Sequence, residues 1–208
     1  MKLSDLLKQL EGTHTLVSLM SRLEVSKPKT IYFIRRLRKA GYVKTFRLAN
    51  KMRVYSISFE NRLGGTTYED VLNKESPVKI ATDTPFFIYG KQPSFEEVLI
   101  YAVKKKSLRT LLAALVLFKK LIDWTEMHRL AKANHCERQI GALYDVARLV
   151  MRTRRMSGQY RKASLPKDHY EFRYFIEGLR SKDFKKIEDR WKVHIPFNKA
   201  DLEPYDIH

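Results

Sequence analysis

Ser26-Lys-Pro-Lys-Thr30-Ile-Tyr-Phe-Ile-Arg35-Arg-Leu-Arg-Lys-Ala40-Gly-Tyr-Val43 is the stretch whose reading decides the fold. Ser26 suits a helix N-cap, Pro28 is tolerated in the first turn, and Gly41 suits the position just past a helix C-terminus. At about 100° per residue, Ile31, Ile34, Leu37 and the near-vertical Arg38 fall on one side. Lys29, Tyr32, Arg36 and Lys39 fall on the other, with Phe33 at its edge.

Working outward, the order of elements is short. Towards the N-terminus, Ser4 reads as a cap for a helix carrying Leu6, Leu7 and Leu10 that ends at Gly12. A second helix runs from about Thr15 to Leu23, and Glu24-Val25 makes a turn. Towards the C-terminus the period shortens. Tyr42–Leu48 reads as a strand, Ala49-Asn50-Lys51 as a turn, and Arg53–Phe59 as a second strand.

Three short helices followed by a hairpin, with Ser26, Thr30-Ile31-Tyr32, Ile34, Leu37, Gly41 and Val43 in place, resemble the recognition helix and first wing strand of winged helix-turn-helix transcription regulators. The resemblance covers residues 1–60. It implies a helix lying in the major groove of duplex DNA, with Lys27, Lys29, Thr30, Tyr32, Phe33, Arg36 and Lys39 on the recognition helix and Arg47, Lys51 and Arg53 on the wing. Arg36 is the best candidate for a base contact, because its fork can grip guanine bidentately. A solvated basic helix face is the plainer alternative, and Phe33 has a further one, packing against the first helix or a dimer partner.

Charge points the same way. The 208-residue chain carries 41 Lys and Arg against 23 Asp and Glu, a net +18, with a pI near 9.9. Half of that excess, +9, sits in residues 1–60, whereas 61–93 are neutral. Such a field attracts polyanions. The longest strongly apolar run, Leu111–Phe118, is too short to span a bilayer. No secretory signal follows the start Met, and a single cysteine, Cys136, permits no internal disulfide, which fits a reducing cytoplasm and a nucleoid-associated location. No membrane partner is expected.

Residues 61–93 hold Gly64-Gly65, Pro77, Pro85 and Pro93 and read as a linker with local structure, including a short strand at Phe86–Tyr89. From 94 onward the reading is mostly helical. Ser94-Phe95-Glu96-Glu97 and Asp123-Trp124-Thr125-Glu126 fit capping boxes, and helices are expected at 95–105, 108–122, 124–134 and 137–151. In the tail, strand or helix is expected around 170–177, a helix at about 182–191, and irregular chain beyond. The fold class is therefore α+β: a winged helix at 1–60, a linker at 61–93 and a mostly α-helical domain at 94–208.

The remaining signals are weaker. Arg152, Arg154, Arg155, Arg161 and Lys162 read either as a flexible basic arm along phosphates or as a solvated loop after a helix. His128, His135 and Cys136 match no zinc spacing, so packing is preferred and no metal or other cofactor is expected. No phosphate-binding loop or hydrolase signature is present, and the spacing of Asp168, Glu171 and Glu177 gives no reason to assign nuclease chemistry. No catalytic residue is assigned, and the chain is read as a non-enzyme. Leu111–Ile122 is apolar almost all round, which means a core helix or a partner-joining one. A homodimer would double the DNA contact and match a palindromic site.

The layout of a winged helix, a linker and a helical domain opening with Glu96-Glu97-Val98-Leu99-Ile100-Tyr101 resembles regulators of the AbiEi antitoxin type. That resemblance implies promoter binding by the first domain and neutralisation of a toxin-like protein partner by the second. No site residue is carried over from it. The function expected is sequence-specific double-stranded DNA binding that regulates transcription. The alternatives are an AbiEi-like antitoxin and autoregulator, or a non-specific architectural DNA- or RNA-binding protein.

Overall fold

Thr15 starts the second helix for a local reason: its hydroxyl accepts from the Ser18 amide, while the Ser18 hydroxyl accepts from the Thr15 amide. That helix, α2 (Leu16–Leu23), follows α1 (Leu3–Leu10), with a strand β1 (Gly12–Thr15) between them. Glu24 in the left-handed region turns the chain into α3 (Lys27–Lys39). Ser26 occupies the N-cap position of α3, but its carbonyl, not its hydroxyl, meets the helix, accepting from both the amide and the hydroxyl of Thr30. A hairpin of β2 (Val43–Arg47) and β3 (Arg53–Ile57) completes a three-stranded antiparallel sheet of order β1-β3-β2.

The computed structural model describes residues 2–59, 65–81, 86–120, 122–167 and 169–205. They form two compact units. The first comprises the described residues of Met1–Thr67 with Phe86–Gln92, and the second those of Tyr68–Pro85 with Pro93–His208. The stretch read as a linker, 61–93, is thus shared between them: Tyr68–Glu75 is a helix, α4, of the second unit, and Phe86–Gln92 returns to the first. In place of a strand at Phe86–Tyr89, a single antiparallel bridge pairs Ile88 with Thr66. Asp168 and Leu121 lie outside the described residues, as does Gly64.

The core of the first unit gathers Leu6 and Leu10 from α1, Leu19 from α2, Phe33, Ile34 and Leu37 from α3, and Val43, Tyr55 and Ile57 from the sheet. Each fully buried leucine contributes about 2 kcal/mol by leaving water. Gly41, at φ +89°, ends α3; a Cβ there would lie 2.7 Å from the Tyr89 ring. Glycine is therefore required both by the backbone and by the aromatic lid above it.

The second unit is built on α5 (Phe95–Lys105), α6 (Leu108–Ala114), α7 (Trp124–Ala133) and α8 (Glu137–Val150), followed by α9 (Gly158–Ser164) and α10 (Lys185–Trp191). A short parallel pair, β4 (Arg173–Tyr174) with β5 (Val193–His194), and a final 3-10 helix, Ala200–Tyr205, replace the irregular tail. The box at Ser94 forms with both reciprocal bonds to Glu97. The one at Asp123 forms by half. Its carboxylate accepts from the Thr125 and Glu126 amides, but its own amide donates to the buried Glu96, while Glu126 pairs with Arg129. The stretch 108–122 is not one helix. It tightens into a 3-10 helix at Leu115–Lys119, and Leu111–Phe118 is wholly buried in the core of this unit. It is therefore spent within the chain and does not serve as a dimer face.

At the centre of this unit, Asp145 on α8 accepts from the Trp191 indole at 2.8 Å, from Arg161 at 2.7 Å and from Arg190 at 3.1 Å. One turn earlier Gly141 lets the Trp191 ring approach; a Cβ would lie 2.3 Å from it.

Candidate nucleic-acid interface

The outward face of α3 follows from which of its residues the core takes. Thr30, Phe33, Ile34 and Leu37 are buried, so Tyr32, Arg35, Arg36 and Lys39 point away from the core, with Lys27 and Lys29 exposed in the first turn. This rotates the face relative to the sequence reading. Thr30 is fully buried with its hydroxyl bound to the Ser26 carbonyl, and Phe33 belongs to the core, so neither is a surface contact. Ile31, read as a core residue, is 47% exposed. Arg35, which the sequence reading left out, stands near the middle of the outward face.

Two of the cations are held in place. The Arg36 guanidinium lies 5.8 Å from the centroid of the Tyr32 ring, a cation–π distance that orients both side chains. Arg38 is not part of a hydrophobic stripe: it donates to the Thr45 hydroxyl at 2.5 Å and ties α3 to β2.

The hairpin contributes Arg47, Lys51 and Arg53, all exposed. Lys51 sits in the left-handed region at the loop, where its amide donates to the Leu48 carbonyl. Arg47 and Arg53 face each other directly across the β2–β3 pair. Like charges at directly opposed positions are destabilising. An anion between them removes that cost. From Val25 to Phe59 the chain has ten Lys and Arg and no Asp or Glu. That acid-free window was legible in the sequence and is the signal that would have brought in Arg35.

A groove of about 830 Å³ runs along the flank of α3, within the first unit. Ile31, Ile34, Arg35 and Arg38 form one side, and Phe86–Lys91 contributes the other.

The second unit's basic run is arranged differently from an arm. Met151 and Met156 are buried, and the Tyr144 hydroxyl accepts from the Met156 amide and donates to the Arg154 carbonyl, pinning the segment at its middle. Arg161 is committed to Asp145 and lies over the Trp191 ring. Arg152, Arg154, Arg155 and Lys162 are exposed. His128 packs edge-on against Tyr160, His135 uses its carbonyl to accept from Arg173, and Cys136 is buried, with its thiol pushed up to about 12 chiefly by burial. Among the described residues no group of three or more His, Cys, Asp or Glu side chains could hold a metal ion, and no helix is long and apolar enough to cross a membrane.

No family model, curated protein or solved structure matches this chain.

Proposed function

We propose that the first unit is a winged helix-turn-helix that binds duplex DNA, and that the protein is a sequence-specific DNA-binding regulator without catalytic activity of its own. The observation that carries this reading is the acid-free stretch Val25–Phe59, which supplies both the outward face of α3 and the β2–β3 hairpin, with Arg47 and Arg53 opposed across the strands. The order α1-β1-α2-α3-β2-β3, with sheet order β1-β3-β2, supports this reading, since a winged helix calls for three helices and a hairpin. A 13-residue α3, about 20 Å long, fits a major groove end to end. In this reading Lys27, Lys29 and Lys39 meet phosphates, Arg35 and Arg36 reach guanine edges, and Arg47, Lys51 and Arg53 straddle the neighbouring backbone or minor groove.

The test is selection of bound duplexes from a random-sequence pool at near-physiological salt, with Arg35→Ala and Arg36→Ala in parallel. A recurrent sequence, relaxed at particular positions in either variant, is expected. Tight binding without any enriched sequence points instead to an architectural role, and absence of binding to duplex removes the proposal.

A further inference from the structure

The groove beside α3 has a composition that duplex binding does not explain. Among the described residues its lining includes six cations (Lys27, Arg35, Arg38, Lys39, Arg53 and Lys91) and no carboxylate. Its floor is apolar, with Leu16, Ile31 and Ile34, and its far wall is the aromatic run Phe86, Phe87 and Tyr89. Phe86 is 68% exposed and Phe87 is 45% exposed, a large apolar area left in water unless something covers it. Phe87 and Tyr89 stack at 6.2 Å, and Tyr89 is anchored over Gly41 and Gly65, so the wall is held from behind rather than swinging free. The volume lies in the range of small-molecule sites, roughly 300–1,000 Å³.

We propose that this groove binds a single nucleotide, its base against Phe86 and Phe87 and its phosphates on Arg35, Lys39 and Arg53. The aromatic wall calls for a planar ring, since bases stack on such side chains irrespective of their identity. The cluster of cations calls for an anion of several charges: Arg35, Lys39 and Arg53 alone outnumber one carboxylate, whereas a di- or triphosphate answers them. Two sources supply this chemistry, a free nucleotide and an unpaired nucleotide within a single strand. The proposal rests on the reading of α3 and the hairpin as a nucleic-acid face only where Lys27, Arg35, Lys39 and Arg53 serve both surfaces. That sharing makes the two ligands competitors, and by linkage each weakens the other equally.

The experiment is calorimetric titration of the full chain with ATP, with inorganic tripolyphosphate and with a single-stranded hexamer of thymidylate, beside a duplex-binding measurement on the same preparation. Saturable binding of ATP or of the hexamer is expected, at least tenfold tighter than tripolyphosphate, and weakened tenfold or more by Phe86→Ala/Phe87→Ala. Duplex affinity of that variant stays within twofold when no nucleotide is present. ATP as the tighter ligand identifies a free nucleotide as the occupant, and the hexamer as the tighter ligand identifies a strand. Duplex binding with no nucleotide or hexamer binding overturns this proposal and leaves the DNA reading standing. Nucleotide binding without duplex binding does the reverse. Tripolyphosphate binding as tightly as ATP also overturns it, because the ring then contributes nothing.

Discussion

Removing Arg35 and Lys39 together changes the salt dependence of duplex binding by an amount that can be worked from the structure. Eight cations occupy the proposed surface: Lys27, Lys29, Arg35, Arg36 and Lys39 on α3, and Arg47, Lys51 and Arg53 on the hairpin. A helix and a hairpin tip cannot place every side chain on phosphate at once, and Arg36, stacked on Tyr32, is better directed at a base. With about six phosphate contacts, log K falls against log salt with a slope near −5, a loss of roughly a thousandfold between 50 and 200 mM. Each phosphate contact accounts for about 0.9 of that slope, so Arg35→Ala/Lys39→Ala flattens it by nearly 2 if both meet phosphate, and by about 1 if Arg35 reads a base. Both residues are exposed, so the thermal midpoint of the double variant is expected to stay within a few degrees of the parent. Fluorescence anisotropy of a labelled duplex across a salt series reads the slope directly. A parent slope shallower than about −2, or a double variant with the parent's slope, refutes the assignment of this face to the phosphate backbone.

Four further outcomes test the second unit. Asp145→Ala leaves the buried Trp191 indole without its acceptor and costs about 2 kcal/mol, read by denaturant unfolding; Arg161 and Arg190 are exposed enough to rehydrate and add little. Burial alone would raise the Asp145 carboxyl, but the bonds from Arg161, Trp191 and Arg190 outweigh it and hold the group below its ordinary value. A depressed folded-state value means stabilisation that is complete above the ordinary carboxylate range and fades as pH falls through it, so acid unfolding of Asp145→Asn should lack that part of the parent's dependence. Gly141→Ala drives a methyl into the Trp191 ring and costs about 1–3 kcal/mol, outweighing the roughly 1 kcal/mol that alanine gains in helix propensity; an unchanged or raised unfolding midpoint would show that α10 shifts freely on α8. With its thiol raised to about 12, Cys136 should resist alkylation at pH 8 until denaturant opens the unit, followed by mass spectrometry of the single adduct.

The parts legible in sequence were those whose signal is local. The Ser94–Glu97 box, the Gly41 stop and the acid-free helix 27–39 depend on residues a few positions apart. The strand β1 was not legible: Gly12-Thr-His-Thr15 has no alternation of its own and is a strand only because β3 pairs with it. The facing of α3 was legible only in part. Apolar residues at both 31 and 33 allow two stripes, and the choice falls to the one that meets α1 and the sheet. That choice buries Thr30, which is tolerated because its hydroxyl donates to the carbonyl four residues back. The aromatic wall of the groove was read as linker, since nothing in Phe86–Lys91 itself says that it returns to a unit that began some eighty residues earlier.

That return has a consequence for how the molecule can be divided. The first unit is not one uninterrupted length of chain: α4 is spliced into it, and Tyr89 caps Gly41 and Gly65 from the far side of the interruption. A fragment ending at residue 60 would carry α3 and the hairpin with its aromatic lid amputated, and would sample the duplex contact without the groove. A fragment beginning at 94 would lack α4, whose Glu69 accepts from the Tyr101 hydroxyl of α5. The two halves are interleaved in sequence even where each is self-contained in space, so any exchange or deletion that respects the folding units has to keep 1–92 and 68–208 each whole, and those ranges overlap.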